Sequence, residues 1–234
     1  MKNCLELLKK EEQLSSFKEL VLSWAEKHVE RLPWRYFDDE PVQVQRETLW
    51  RVVVGEVLLG RTPTERVLPV FYDLIELAPN PKCFLHLEDE ILITKLKPLG
   101  LQRKKVSTLK EIARILATDD LQDLEEKLKK VKGIGKNTLN AILLFGLCKN
   151  RPLMDGTIGR VVSRVFGIKW KAKKAVLDKC AWYVSSLLVY DDCRKTKLLF
   201  YGLLDLGRKY CKLKKPHCAH CPLLISCESG KAGT

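Results

Sequence analysis

The apolar residues of this chain recur at helical spacing along almost its whole length. Phe17, Leu20, Val21 and Trp24 do so near the start, Leu49, Val52, Val53, Val54, Val57 and Leu58 further on, and Leu139, Ile142, Leu143 and Gly146 later still. A pattern of period 3.6 cannot be laid on a strand, whose side chains alternate from face to face, without putting much of its apolar surface into water. Strand-like alternation is scarce, so the expected fold is all-α. Breaks at Pro33, Pro63, Pro79, Pro81, Pro98, Gly100, Gly133, Gly135, Pro152 and Gly167 divide the pattern into helices of ordinary length, about ten of them. No internal repeat or low-complexity tract interrupts it.

A chain of 234 residues with 46% hydrophobic content can bury one large core or two smaller ones flanking a cleft. Its 42 Lys and Arg outnumber 29 Asp and Glu, giving a net charge of +13, which favours a polyanionic partner, nucleic acid before an anionic membrane surface. The opening MKNCLELLKKEEQL has no apolar core of signal-peptide length, and no stretch reaches the roughly 20 apolar residues of a membrane span. The expectation is an intracellular protein, cytoplasmic and nucleoid-associated if prokaryotic, with no membrane partner.

Four of the nine cysteines fall within 17 residues: Cys211, Cys218, Cys221 and Cys227, spaced C-x6-C-x2-C-x5-C. The intervening KLKKPH, AH and PLLIS are too short and polar to bury a core of their own, so converging thiolates must hold the loop. Zinc ribbons use the C-x2-C pair twice, and here it occurs once; this favours a 4Fe-4S cluster, with zinc as the other possibility. Lys212, Lys214 and Lys215 in the first loop could meet phosphates or form a solvated face. The remaining Cys4, Cys83, Cys148, Cys180 and Cys193 sit mostly among apolar neighbours and are expected to be small core residues.

Residues 128–145, LKKVKGIGKNTLNAILLF, set Gly133-Ile134-Gly135 between two helical patterns. Glycines let the backbone approach a ligand closely, and the open amides at the start of the next helix suit a phosphate. About twenty residues on, in LMDGTIGRV, Asp155 stands at the mouth of a new helix, where an aspartate can also serve as an N-cap.

Hairpin, acid and cysteine loop together resemble the helix-hairpin-helix (HhH-GPD) DNA glycosylase superfamily, of the endonuclease III type with an iron-sulfur loop. The likeness continues through LPWR at residues 32–35, Gly100-Leu101 and LDLG at residues 204–207, so it spans nearly the whole chain. It implies two all-α lobes: 39–151, six helices including the hairpin, and 1–38 with 152–234, carrying the cluster loop at 211–227. Glu56 and Asp155 would face each other across the cleft. The implied partner is double-stranded DNA with a mismatched or damaged base, bound by a monomer. Gly133, Gly135 and Lys136 would contact phosphate, and Asp155 would be the catalytic acid, stabilising positive charge on the sugar as the glycosidic bond breaks.

Bifunctional members carry a lysine just before the hairpin threonine; here Asn137 precedes Thr138. An amide cannot form a Schiff base, so a monofunctional enzyme is expected, with Asn137 in the hairpin or at the base pocket. Trp50 to Thr62, WRVVVGEVLLGRT, resembles the acid-bearing helix of the thymine and adenine mismatch branch, making Glu56 a second candidate catalytic acid. Arg61 matches the residue that fills the gap left by a flipped base. Residues 38–48 are longer than the usual link, and Asn137 is neither the serine common in adenine enzymes nor the tyrosine common in thymine ones. The sequence runs only seven residues past Cys227, which favours thymine or uracil opposite guanine. The rivals are adenine opposite guanine or 8-oxoguanine, a bifunctional glycosylase/lyase, and a DNA-binding protein that uses neither acid.

Overall fold

The computed structural model describes residues 11–36, 45–118, 122–170 and 174–231, and among them it contains helices and no strand. The segment 38–44, the larger part of the extended link, and Cys4 lie outside the described residues. Among the described residues, no helix is long and apolar enough to cross a membrane. The chain divides into two compact units, one of Leu32–Leu147 and one of Met1–Arg31 with Cys148–Thr234.

In the unit of Leu32–Leu147 the helices are α2 (Gln45–Leu59), α3 (Thr64–Leu77), α4 (Pro81–His86), α5 (Asp89–Leu96), α6 (Gln102–Ala117), α7 (Leu124–Lys129) and α8 (Lys136–Ala141). A π-helical turn, Ile142–Gly146, continues α8. Proline or glycine punctuates the boundaries: Pro63 is the N-cap of α3, and Asn80 caps α4 by accepting from the Cys83 N–H at 2.9 Å, with Pro81 at the first position. One continuous cluster forms the core, with Trp34, Trp50, Phe71, Phe84, Leu92, Leu109 and Ile142 among its buried members. Trp50 satisfies its indole N–H on Ala78 O at 3.1 Å, so burying it strands no donor. Gly55 admits the Trp34 ring: a Cβ there would lie 2.5 Å from Cγ of Trp34.

In the other unit, α1 (Glu11–His28) packs against α11 (Cys193–Lys209), which also meets α9 (Gly156–Phe166); α10 (Lys179–Leu187) and the short α12 (Glu228–Lys231) complete it. Small residues set the approach: a Cβ on Gly202 would come 2.9 Å from Ala25 Cβ, and one on Gly207 would collide with Thr157. Phe17 and Phe166 meet edge to face at 5.1 Å between centroids. The buried Asp205 accepts from the Glu30 N–H at 2.8 Å and from Arg208 at 3.2 Å, and Arg208 also pairs with Glu30.

Two cysteines expected to be plain core residues are instead joined: Cys148 and Cys193 form a disulfide across a sequence separation of 45, their Cα atoms 5.5 Å apart, well inside the range a disulfide spans. Cys180 is disulfide-bonded as well, while Cys83 is a free, half-buried thiol. Local composition could not distinguish these cases, because pairing depends on which helix ends the fold brings together.

Candidate active site

Asp155 enters its helix from a fixed loop. Leu153 and Met154 are buried, and the Leu153 carbonyl accepts from Ser185 Oγ at 2.6 Å. The next residue has extended backbone and becomes the N-cap of α9, its Oδ1 accepting from the N–H of Thr157 at 2.8 Å and of Ile158 at 2.7 Å. Both cap bonds fall on one oxygen, so the cap fixes the carboxyl group and leaves Oδ2 outside it. Burial pushes the Asp155 pKa up, and the two N–H donors and the Arg160 charge pull against that rise. The capping role weighed from sequence is therefore real, and it holds the acid in one orientation.

The hairpin lies in the other unit. Gly133 has φ +102°, and a Cβ there would collide with Thr108, whose hydroxyl donates to Lys132 O at 2.9 Å. Only glycine fits on both counts. Gly135 is the N-cap of α8, exposed and with open space where a Cβ would point. Lys136 is exposed at the first position of α8, and Asn137 follows half-buried. Two exposed glycines and a cation thus stand together at one helix start.

Glu56 occupies α2, half-exposed between buried Val53, Val54 and Val57. Arg61, just past the end of that helix, is exposed and holds φ +62°, a left-handed conformation costly for any residue but glycine. Lys105 did not stand out in the sequence, and Leu101 did so only as part of the Gly100-Leu101 likeness. Lys105 is buried on α6 and donates to Val57 O, Leu58 O and Gly60 O at 3.1, 2.7 and 2.9 Å. Its signal was there: it falls on the apolar stripe of Leu109, Ile112 and Leu116. Leu101 is exposed with φ +54°.

Cys211, Cys218, Cys221 and Cys227 line one cavity of about 240 Å³, walled by Val161, Val165, Leu206, Leu223 and Leu224. Arg164 donates to Cys211 Sγ at 3.3 Å, to Lys212 O at 2.7 Å and to Leu213 O at 3.0 Å, while Arg160 Nε donates to Cys211 O at 2.7 Å. Burial pushes the Cys221 and Cys227 thiols up. Among the described residues, no three His, Cys, Asp or Glu side chains stand close enough to hold a single metal ion. A tetrahedral ion needs its four sulfurs nearly in contact, whereas a cube takes them at its corners, farther apart. The four cysteines share one cavity, and four thiols are a donor set that either group accepts. Lys212, Lys214 and Lys215 are all exposed.

Known proteins resemble this chain in sequence and in fold. The model of the HhH-GPD superfamily base excision DNA repair protein matches residues 54–184. A thymine/uracil-DNA glycosylase of Pyrobaculum aerophilum is 28% identical over 224 residues, 94% of each chain. An adenine DNA glycosylase of Buchnera aphidicola subsp. Schizaphis graminum is 25% identical over 221 residues, 90% of this chain and 58% of that one. The solved structure of a thermostable thymine-DNA glycosylase superposes with a TM-score of 0.77 at 22% identity, over 95% of this chain and 99% of that one, a likeness of fold. The matched stretch covers more than half of the chain and takes in Glu56, the hairpin and Asp155: the chain belongs to the HhH-GPD superfamily of base excision DNA repair proteins.

Proposed function

We propose that this protein is a monofunctional DNA N-glycosylase that removes thymine or uracil from opposite guanine in duplex DNA. Asp155 carries the reading, as a partly buried carboxylate clamped by two backbone N–H groups on one oxygen, with the other outside the cap. As the C1′–N bond lengthens, its electron pair leaves with the base and positive charge builds on the deoxyribose. A carboxylate already oriented stabilises that charge without reorganising. Water then adds at C1′ and gives up a proton, leaving an abasic site. Asn137 offers no amine for a Schiff base, so the strand stays intact.

Gly133, Gly135 and Lys136 would hold a phosphate, Arg61 would occupy the space vacated by the extruded base, and Glu56 would meet that base. The likeness to a thymine/uracil enzyme over nearly all of both chains supports the substrate. Adenine is the alternative, supported by the likeness to an adenine enzyme. Cys211, Cys218, Cys221 and Cys227 would hold a 4Fe-4S cluster, with the Arg164 hydrogen bond placed on one of its thiolates. Bound there, a cluster would let the four cysteines tie down a loop whose Leu213 and Ile225 are 71% and 84% exposed.

The test is single-turnover cleavage of duplexes carrying T:G, U:G, A:G or A:8-oxoguanine, with and without alkali, beside iron and sulfide analysis. Alkali-dependent nicking of T:G and U:G supports the reading. Nicking without alkali would make the protein a lyase, preference for A:8-oxoguanine an adenine enzyme, and binding without cleavage a non-catalytic DNA-binding protein.

A further inference from the structure

Lys105 is only 5% exposed, yet among the described residues its ammonium pairs with no carboxylate; its partners are three backbone carbonyls. A buried cation without a counter-ion is costly, and a methionine would fill the same space without that cost. The ammonium must therefore do something an apolar side chain cannot. Its acceptors, Val57 O, Leu58 O and Gly60 O, lie at the C-terminal end of α2, where carbonyls lack intrahelical donors and the helix dipole is negative. Burial nonetheless pushes the lysine pKa down to about 8.

Two strained turns flank this residue. Arg61 holds φ +62° directly after the carbonyls that Lys105 collects, and Leu101 holds φ +54° just before α6, its carbonyl accepting the Lys105 N–H at 3.0 Å. Each such non-glycine conformation is costly and persists only where the surroundings enforce it. Thr62 adds a second strap, its hydroxyl donating to Leu99 O at 3.2 Å. Both turns display their side chains to solvent: Arg61 is exposed, and Leu101 is 46% exposed.

We propose that Lys105 is a positioning residue for base extrusion, its ammonium and its backbone locking the turn that carries Arg61 to the turn that carries Leu101. It touches neither the DNA nor the reacting atoms, and acts through Arg61. The proposal rests on the glycosylase reading and on the place given to Arg61 above.

The experiment compares Lys105→Met, Arg61→Ala and the double variant, well below their unfolding temperatures. It reads the single-turnover rate at saturating enzyme, the affinity for mismatch-free duplex, and the fluorescence of 2-aminopurine beside the target base as a measure of extrusion. Lys105→Met should lower rate and extrusion on the order of tenfold, within what misplacement by a substitution remote from the chemistry can cost, with duplex affinity unchanged. Acting through Arg61, it should cost little more in the double variant than Arg61→Ala costs alone. Losses that multiply, or a Lys105→Met protein that extrudes and excises like the parent, overturn the proposal. If Lys105→Met does not fold, Lys105→Gln keeps two amide donors and should lose part of the extrusion signal; parental extrusion there overturns it equally. Extrusion is read without excision, so a parent protein that releases no base sinks the glycosylase reading while Lys105 is still tested.

Discussion

The two units are held together by different means. Among the described residues of Leu32–Leu147, one apolar cluster runs through the helices and the one buried charged side chain is Lys105. The unit of Met1–Arg31 with Cys148–Thr234 is stitched at named polar points. Asp205 takes the Glu30 N–H, Asp178 caps α10 through Cys180 N at 2.8 Å and Ala181 N at 3.2 Å, Arg160 and Arg164 grip the cysteine loop, and a disulfide joins Cys148 to Cys193. Apolar burial is non-directional and can be repacked, whereas each of these links depends on one or two atoms. The second unit should therefore fail at single links, the first through volume.

The largest stability effect expected from that contrast lies at the disulfide. Cys193→Ser opens a loop spanning a sequence separation of 45, and chain entropy puts the loss at about 4 kcal/mol. Denaturant unfolding with and without reductant measures it; a reductant-insensitive midpoint in the parent would remove the disulfide from the list of staples. Next is Gly55→Ala, which drives a methyl into the Trp34 ring, 2.5 Å from its Cγ. The expected cost is about 1–3 kcal/mol with catalysis retained at low temperature, and an unchanged midpoint would show that this core yields to added volume.

The smallest effect is the pH dependence of Asp155. Its folded pKa is raised by burial, so between the unfolded and folded values the unfolded chain has already lost the proton that the native state keeps. The stability tied to this group is thus present below the unfolded pKa and is lost as pH rises through the folded one. Asp155→Asn removes that dependence, so stability should fall across the window in the parent and not in the variant. The acid limb of the excision rate should likewise lie above the ordinary aspartate range, because the ionised form does the chemistry.

The all-α architecture was legible because the 3.6 period is written into the positions of Phe17, Val21, Leu139 and Ile142, and because Pro63, Pro81 and Gly167 stand at helix boundaries. The start of a helix at Asp155 could likewise be read from Pro152 and Gly156. What escaped were contacts between residues far apart in sequence. The Cys148–Cys193 bond, the reach of Lys105 to carbonyls some 45 positions earlier and the grip of Arg164 on Lys212 O depend on packing that local pattern does not encode. The left-handed turns at Arg61 and Leu101 escaped for a related reason: neither is the glycine or asparagine that usually marks one.

The central claim is that Asp155 is both clamp and catalyst, and Asp155→Asn separates the two, since asparagine caps a helix about as well as aspartate but carries no charge for the sugar cation. Single-turnover excision of T:G by parent and variant, read after alkali beside their unfolding midpoints, is the direct test. The account predicts a rate loss of about 10²–10³-fold, the scale of losing one preorganised electrostatic group, with nearly unchanged stability at neutral pH. A variant that excises like the parent would reduce Asp155 to an N-cap and contradict the account.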